Sequence, residues 1–138
     1  MNILVVDAQG GGIGKQIVSA IKKKGLNAEI FAVGANSVAT TAMIKAGADH
    51  GATGERPVEV CSKGADFIIG PVGIVVADSM YGEITPNMAM AIGQSTAKRI
   101  LIPVSNCDNI VMGVNDYNLS NLIDEAVREI EKQIDSKC

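Results

Sequence analysis

Residues 4–15 read Leu4-Val5-Val6-Asp7-Ala8-Gln9-Gly10-Gly11-Gly12-Ile13-Gly14-Lys15. An apolar, largely β-branched run leads into four glycines within five positions, and an apolar-periodic segment follows at once. This order predicts a strand, a tight turn and a helix. A turn of this kind presents backbone N–H groups at the N-terminus of a helix, where the helix dipole favours an anion. The stretch therefore predicts a βα unit that binds a phosphate-bearing ligand at its turn.

Strands and helices alternate along the rest of the chain. The hydrophobic pattern predicts strands at 2–6, 28–33, 67–70 and 99–104 and a weaker fifth at 110–114, while 48–56 reads as a loop or a short extended piece. It predicts helices at 12–24, from Asn36 or Ser37 to Gly47, at 57–63, from Ile74, from Thr85 to about Gly93, and at 119–134. Alternating βαβ units indicate a mainly parallel sheet covered by helices on both faces. We therefore predict a three-layer α/β/α sandwich of about five strands, a Rossmann-like single domain over residues 1–138.

Composition narrows the range of partners. The 138-residue chain is 47% hydrophobic and 20% charged, with a net charge of −3, which is typical of a soluble globular protein. Negative charge and few aromatic rings argue against nucleic acid as a partner. The longest apolar run, 67–77, is well short of the roughly 20 residues that span a bilayer, so no membrane association is expected. Three dispersed cysteines indicate a reducing, cytoplasmic location, and a single histidine argues against a metal cluster.

Known glycine motifs match the turn only in part. The dinucleotide fingerprint G-x-G-x-x-G requires a glycine where Lys15 stands. The short-chain dehydrogenase pattern T-G-x-x-x-G-I-G matches at Gly12-Ile13-Gly14, but Asp7-Ala8 replaces its first two residues and its catalytic Tyr-x-x-x-Lys is absent. A P-loop requires glycine at Gln9 and a hydroxyl residue at Gln16. No reaction follows from this turn, and whether the protein is an enzyme stays open.

The ribose half of a dinucleotide site is also incomplete. An acidic residue is expected at the end of strand two, about 20 residues after the glycines, where it would hold the ribose hydroxyls. The strand instead ends in Val33-Gly34-Ala35-Asn36, and no arginine stands there to accept a 2′-phosphate. Asn36 and Ser37 could still contact a sugar or a phosphate. NAD or NADP is compatible with the sequence but is not required by it, and the cofactor stays unknown.

The favoured hypothesis is a domain that binds a nucleotide or another phosphorylated small molecule at the turn. Backbone N–H groups would contact the anion, Lys15 would supply a countercharge, and Asp7 a polar contact. Ligands of open α/β sheets bind at the carboxyl ends of the strands, where the strand order reverses, and for the order 2-1-3-4-5 that crevice lies between the two glycine-rich turns. The predicted site, with no catalytic residue and no metal ligand, comprises Asp7, Gly10, Gly11, Gly12, Ile13, Gly14, Lys15, Asn36, Ser37, Gly70, Pro71 and Gly73.

Two further hypotheses are compatible with the same residues. The glycines could simply let the first helix pack close to the sheet. The protein could also be a non-catalytic sensing or interaction subunit, in which the apolar run 67–77 and the helix around Met88 and Met90 form the interface of a homo-oligomer or bind another partner.

Several polar residues outside the turn have two interpretations each. Asp78-Ser79-Met80-Tyr81-Gly82-Glu83 is either a loop over the crevice, with Glu83 as acid or base, or a solvated connection, which we favour. Cys107 in Ser105-Asn106-Cys107 follows a strand but has no histidine close in sequence to activate it, so we favour a buried inert thiol. His50 fits a polar loop and lacks partners for a metal.

Four segments together resemble a known family. Asp7–Lys15, Ala48–Glu55, Ile69–Ile74 and Gly82–Pro86 resemble the sequences of a small bacterial family known only as a domain of unknown function, and the likeness covers essentially the whole chain. Glycine is usual at position 8 in that family, so Ala8 is a departure within the turn. The resemblance implies a small cytoplasmic, Rossmann-like protein, and it implies no activity.

Overall fold

A parallel sheet of five strands lies at the centre of the computed structural model, which describes residues 1–104 and 108–136. The strands are β1 (Asn2–Asp7), β2 (Glu29–Gly34), β3 (His50–Thr53), β4 (Phe67–Pro71) and β5 (Lys98–Ile102). The helices are α1 (Gly12–Lys24), α2 (Ser37–Lys45), α3 (Glu55–Gly64), α4 (Pro86–Gln94) and α5 (Leu119–Ser136), with a short 3-10 helix at Val72–Val75.

The strand order is β3-β2-β1-β4-β5, and every pairing is parallel. This is the order of the first five strands in the doubly wound dinucleotide-binding fold. The chain moves outward from β1 to β3 on one side and then returns to place β4 on the other side. The strand order therefore reverses between β1 and β4, where the sequence predicted a crevice.

Two hydrophobic cores lie on the two faces of the sheet. Because successive strand residues point to opposite faces, Ile3 and Val5 of β1 belong to a core with α1, α2 and α5. Leu4 and Val6 belong to a second core with α3 and α4. The predicted three-layer α/β/α arrangement is confirmed.

Local sequence signals set several of the helix ends. The side chain of Asn36 accepts a hydrogen bond from the Ala39 N–H and caps α2, and Thr85 does the same for α4 through the Met88 N–H, with Pro86 in the first turn. Lysines fill the last turn of α1 before Gly25, which has a left-handed φ of 72°. These positions agree with the sequence prediction.

The predicted fifth strand at 110–114 is wrong. The described residues there have no strand structure. The strand that completes the sheet of five is instead β3, which lies within 48–56, the stretch predicted as a loop or a short extended piece. Its side chains are mostly exposed, so no alternation of polar and apolar residues marks it. Tertiary contacts hold it instead: the Thr53 hydroxyl lies 2.7 Å from the Thr40 hydroxyl, and the His50 ring stacks on Phe31 with centroids 4.6 Å apart.

The apolar run 67–77 belongs mainly to the interior. All five residues of β4 are buried, as is Ile74 in the 3-10 helix that follows. Met88 is also buried, whereas Met90 is half exposed. This surface therefore offers little of the apolar area that the interface hypothesis assigned to it. Among the described residues, no helix combines the length and the hydropathy needed to cross a bilayer.

Candidate ligand-binding site

The turn between β1 and α1 is tight and partly left-handed. Gln9 and Gly11 have φ values of 53° and 75°, and the Gly11 N–H donates to the Ala8 carbonyl at 3.1 Å. The Lys15 N–H donates to the Gly11 carbonyl at 2.9 Å and starts the regular helix. The turn thus brings the chain from the sheet to the helix within a few residues and leaves Gly10 exposed.

Asp7 lies beneath the turn and is almost fully buried, with 3% of its surface exposed. One carboxylate oxygen accepts the Ala8 N–H at 2.8 Å, and the other accepts the Gly14 N–H at 2.7 Å. Burial raises the pKa of the Asp7 carboxyl above its usual range, and the Glu83 charge adds to this effect, while the backbone N–H groups oppose it. The buried carboxyl group therefore lies at the N-terminus of α1, where the helix dipole favours negative charge while burial opposes it.

The glycines of the turn fall into two pairs. A Cβ on Gly11 would lie 2.7 Å from the Ala39 Cα, and one on Gly14 would lie 2.6 Å from the Met43 Sδ, so both are required by the close approach of α1 and α2. A Cβ on Gly10 or Gly12 would meet no atom within 4 Å, and neither residue has a left-handed φ. The fold therefore explains the first pair and leaves the second unexplained.

Glu83 joins the turn to the end of β2. One of its carboxylate oxygens accepts the Gln9 N–H at 2.9 Å and the Asn36 side-chain amide at 2.7 Å. The same amide group of Asn36 also donates to the Gln9 carbonyl at 2.9 Å. A carboxylate thus lies beside the end of β2, although it belongs to a residue 47 positions further along the chain than Asn36. Sequence spacing gives no signal for such a contact.

The loop that carries Glu83 is ordered by unusual backbone conformations. Asp78, Met80 and Tyr81 have φ values of 65°, 55° and 58°, which side-chain-bearing residues rarely adopt. The Asp78 N–H donates to the Ile84 carbonyl at 2.7 Å and closes the loop. Tyr81 at its tip is 99% exposed. The favoured prediction that 78–83 is only a solvated connection is therefore wrong, since Glu83 at its end accepts a hydrogen bond from the Gln9 N–H of the glycine turn.

The second glycine-rich turn is closed by the molecule itself. Gly70, Pro71 and Gly73 are buried. A Cβ on Gly70 would overlap the Val6 carbonyl oxygen. One on Gly73 would come within 3.1 Å of the Met80 side chain. These residues lie beside β1, as predicted, but close packing accounts for them.

Lys15 and Ser37 line a hollow of about 390 Å³ between α1 and α2. Lys45 and the hydroxyl-bearing Thr41 line it too, and neither was predicted. Ser37, Thr41 and Lys45 recur at intervals of four along α2, the spacing that places residues on one face of a helix. This four-residue spacing is the sequence signal from which Thr41 and Lys45 could have been predicted. The hollow is therefore flanked by two lysines. Ile13, which was also predicted for the site, packs against the hydrophobic core instead.

The remaining candidate residues lie elsewhere. His50 is on β3, where its ring nitrogen lies 3.0 Å from a Glu29 carboxylate oxygen. Cys61, which the sequence did not single out, is a free thiol whose pKa is raised by burial. Ser105, Asn106 and Cys107 lie outside the described residues. Within 1–104 and 108–136, no cluster of three or more His, Cys, Asp or Glu side chains could hold a metal ion.

The strand order, the two cores and the βα turn define this chain as a Rossmann-like α/β domain. Residues 2–135 match a family model described as a domain of unknown function (DUF3842), and the chain belongs to that family. The family resemblance inferred from the sequence is thereby confirmed.

Beyond its family, the chain resembles a solved enzyme structure at low sequence identity. No curated protein sequence matches the chain. One similar solved structure is a dodecameric FMN-dependent Ubix-like decarboxylase from Escherichia coli O157:H7, with 18% sequence identity and a TM-score of 0.40 over 94% of this chain and 76% of that one. A TM-score this low does not establish a shared fold, so the fold assignment rests on the strand order itself.

Proposed function

We propose that this protein binds a phosphorylated small molecule, such as a nucleotide, on the outer side of the turn after β1. The anionic group would contact the backbone N–H groups of Gly10 and Gly12. Lys15 would supply positive charge one turn into α1. Ser37 would face the remainder of the ligand from the start of α2, whereas the side chain of Asn36 already bonds Gln9, Glu83 and Ala39 and would hold the turn in position.

The main observation that supports this proposal is that the fold requires no glycine at positions 10 and 12. Each is exposed, has room for a side chain and lacks a left-handed φ. Glycine costs roughly 0.5–1 kcal/mol relative to alanine where the backbone is regular. The N–H groups of both residues have no hydrogen-bond acceptor among the described residues. A ligand that approaches the backbone closely explains both the missing side chains and the free donors.

The charges around the turn restrict where an anion could bind. The inner side is occupied by the buried carboxylate of Asp7, which already accepts the Gly14 N–H. Glu83 accepts the Gln9 N–H on the crevice side. An additional anion is therefore favoured only on the outer side, where Gly10, Gly12 and Lys15 are exposed. There the dipole of α1 and the lysine side chains favour negative charge.

A thermal-shift screen with matched variants tests this proposal. The panel is NAD, NADP, ATP, GTP, FMN, coenzyme A and sugar phosphates. A ligand at one hundred times its dissociation constant stabilises the folded state by about 2.7 kcal/mol, which is several degrees for a chain of this size. We expect Gly12→Ala to reduce or abolish the shift, because its methyl group occupies the space of the ligand.

Gly93→Ala is the matched control. Gly93 is exposed on α4, and a Cβ there would also meet nothing within 4 Å. Both substitutions should leave the ligand-free protein at least as stable as before, so a difference between them reports ligand contact alone. The proposal fails if no compound in the panel shifts the melting temperature, or if Gly12→Ala binds as well as Gly93→Ala.

A further inference from the structure

The hollow between α1 and α2 carries positive charge that nothing in the described part of the chain balances. Lys15 and Lys45 line it, together with the hydroxyl-bearing residues Ser37 and Thr41, and its lining includes no carboxylate. Neither lysine forms an ion pair within the described residues. Two cations therefore face the same hollow without a counter-ion.

The close packing of the two helices brings these charges together. α1 and α2 approach so closely that a Cβ on Gly14 would lie 2.6 Å from the Met43 Sδ. Lys15 is the next residue of α1. Lys45 follows Met43 by two residues on α2, so the two lysines lie at nearly the same level of the helix pair. Like charges at close range repel, and no acidic side chain in the first turn of either helix offsets this.

Two other hollows formed by the described residues carry both signs of charge. The groove between β5 and α5 is lined by two cations and two carboxylates. The hollow between α1 and α5 is lined by Lys15 and by Asp124, although these two side chains form no ion pair. The lining of the hollow between α1 and α2 differs from both, because its charge is of one sign and favours an anion.

We propose that the hollow between α1 and α2 binds a second anionic group of the ligand, a phosphate group held between Lys15 and Lys45. This inference rests on the proposed function, which places the first anionic group at Gly10 and Gly12. α2 extends from Ser37 to Lys45, so its ends are about 12 Å apart along the axis at about 1.5 Å per residue. The hollow therefore reaches well beyond the glycine turn.

The size and the apolar part of the lining define the class of ligand. The volume of about 390 Å³ falls within the range of small-molecule sites, roughly 300–1,000 Å³. Val38, which is 63% exposed, and Ala42 complete the lining and offer apolar surface beside the lysines. The ligand is therefore a small organic molecule that carries two phosphate groups separated by an organic part.

Equilibrium binding of matched ligand pairs tests the inference on the full chain. The members of each pair differ by one phosphate group: NADP and NAD, coenzyme A and dephospho-coenzyme A, fructose 1,6-bisphosphate and fructose 6-phosphate. In at least one pair we expect the member with the additional phosphate to bind about tenfold more tightly, because it gains charge-assisted contacts with two lysines. Lys45→Gln should abolish that preference and leave the affinity of the other member unchanged.

Lys63→Gln is the matched control. Lys63 is exposed in the last turn of α3, as Lys45 is in the last turn of α2, and it forms no ion pair within the described residues. Both substitutions remove a cation from a helix C-terminus, so only a contact with the ligand distinguishes them. Gly12→Ala should weaken the binding of both members of a pair equally, because it removes the first contact.

The outcomes separate this inference from the proposed function. Equal affinity within every pair, or a preference that survives Lys45→Gln, overturns the inference, while weaker binding to Gly12→Ala still supports the proposed function. If no compound of the pairs binds, the proposed function fails, and inorganic phosphate decides about the hollow alone. The melting temperature is then compared in phosphate and in chloride at equal ionic strength. A gain in phosphate that Lys45→Gln loses and Lys63→Gln retains supports an anion site in the hollow, and any other result overturns it.

Discussion

The two glycine-rich turns of this molecule follow adjacent strands, yet their glycines have different surroundings. After β4, Gly70 and Gly73 are buried: a side chain at Gly70 would overlap the Val6 carbonyl oxygen, and one at Gly73 would press against Met80 and Ser79. After β1, Gly10 and Gly12 have open space in front of them. The sequence treats the turns alike, because each is an apolar strand that ends in glycine. The number of glycines therefore does not show which of them are required by close packing, whereas the space in front of each glycine does.

Substitution of one glycine in each turn gives the largest expected difference. Gly70→Ala forces a methyl group against the Val6 carbonyl oxygen in the middle of the sheet, and we expect it to lower the free energy of unfolding by about 3 kcal/mol. Gly10→Ala should change it by less than about 1 kcal/mol, and in the stabilising direction. Urea unfolding of both variants measures the contrast. Equal losses in the two variants would remove the distinction between the turns.

Asp7→Asn tests what holds the first turn in place. The variant keeps one acceptor oxygen but turns an amide donor towards a backbone N–H, so at neutral pH we expect a loss of about 1–3 kcal/mol in the free energy of unfolding. The second turn has no buried carboxylate of this kind: there the Ser79 hydroxyl donates to the Gly73 carbonyl. Urea unfolding measures the loss, and an unchanged midpoint would mean that glycine geometry alone sets the first turn.

The difference in the free energy of unfolding between the native protein and Asp7→Asn should depend on pH. Because the pKa of Asp7 is raised in the folded state above its ordinary value of 3.8, the folded chain binds this proton more tightly than the unfolded chain. The resulting stability is full below pH 3.8 and is lost as the pH rises through the folded-state pKa. The advantage of the native protein over Asp7→Asn should therefore grow on acidification. A gap that narrows would show that the backbone N–H groups outweigh burial.

Glu83→Gln gives the smallest effect and tests the connection between the first turn and the loop that carries Glu83. The glutamine oxygen can still accept the Gln9 N–H and the Asn36 amide, so the fold should be retained. Removal of the negative charge should lower the pKa of Asp7, since Glu83 raises it in the native protein. Carbon NMR of the Asp7 carboxyl measures the shift. Glu29→Gln, a change at an exposed carboxylate paired with His50, is the control and should leave the titration unchanged.

Much of the fold could be predicted because its signals are local. The strands buried on both faces have continuous apolar sequences, and α5 repeats its apolar residues along one face. β3 could not be predicted, because it is four residues long, exposed, and held by Thr40 and Phe31 rather than by its own pattern. Residues 110–114 have the composition of a strand, but strand formation needs a neighbouring edge, which composition does not supply.

The candidate site divides in the same way. The turn, Asn36 and the cap of α2 could be predicted because glycine and asparagine have specific local roles. The position of Glu83 could not, since it contacts Gln9 across 74 residues of sequence. Which glycines face open space also depends on the neighbouring helix, as the contact of Gly11 with Ala39 shows.

The central position of β1 affects how the chain folds during its synthesis. β1 pairs with β2 on one side and with β4 on the other, and β4 is synthesised after β3. Once Thr53 has emerged from the ribosome, β1, β2 and β3 can form a three-stranded sheet in which one side of β1 is unpaired. Pro71, the last residue of β4, follows after about 1–4 s at a synthesis rate of about 5–20 residues per second. During that interval an apolar strand edge is open to other nascent chains. Slower translation between β3 and β4 should therefore increase aggregation, and faster translation should reduce it.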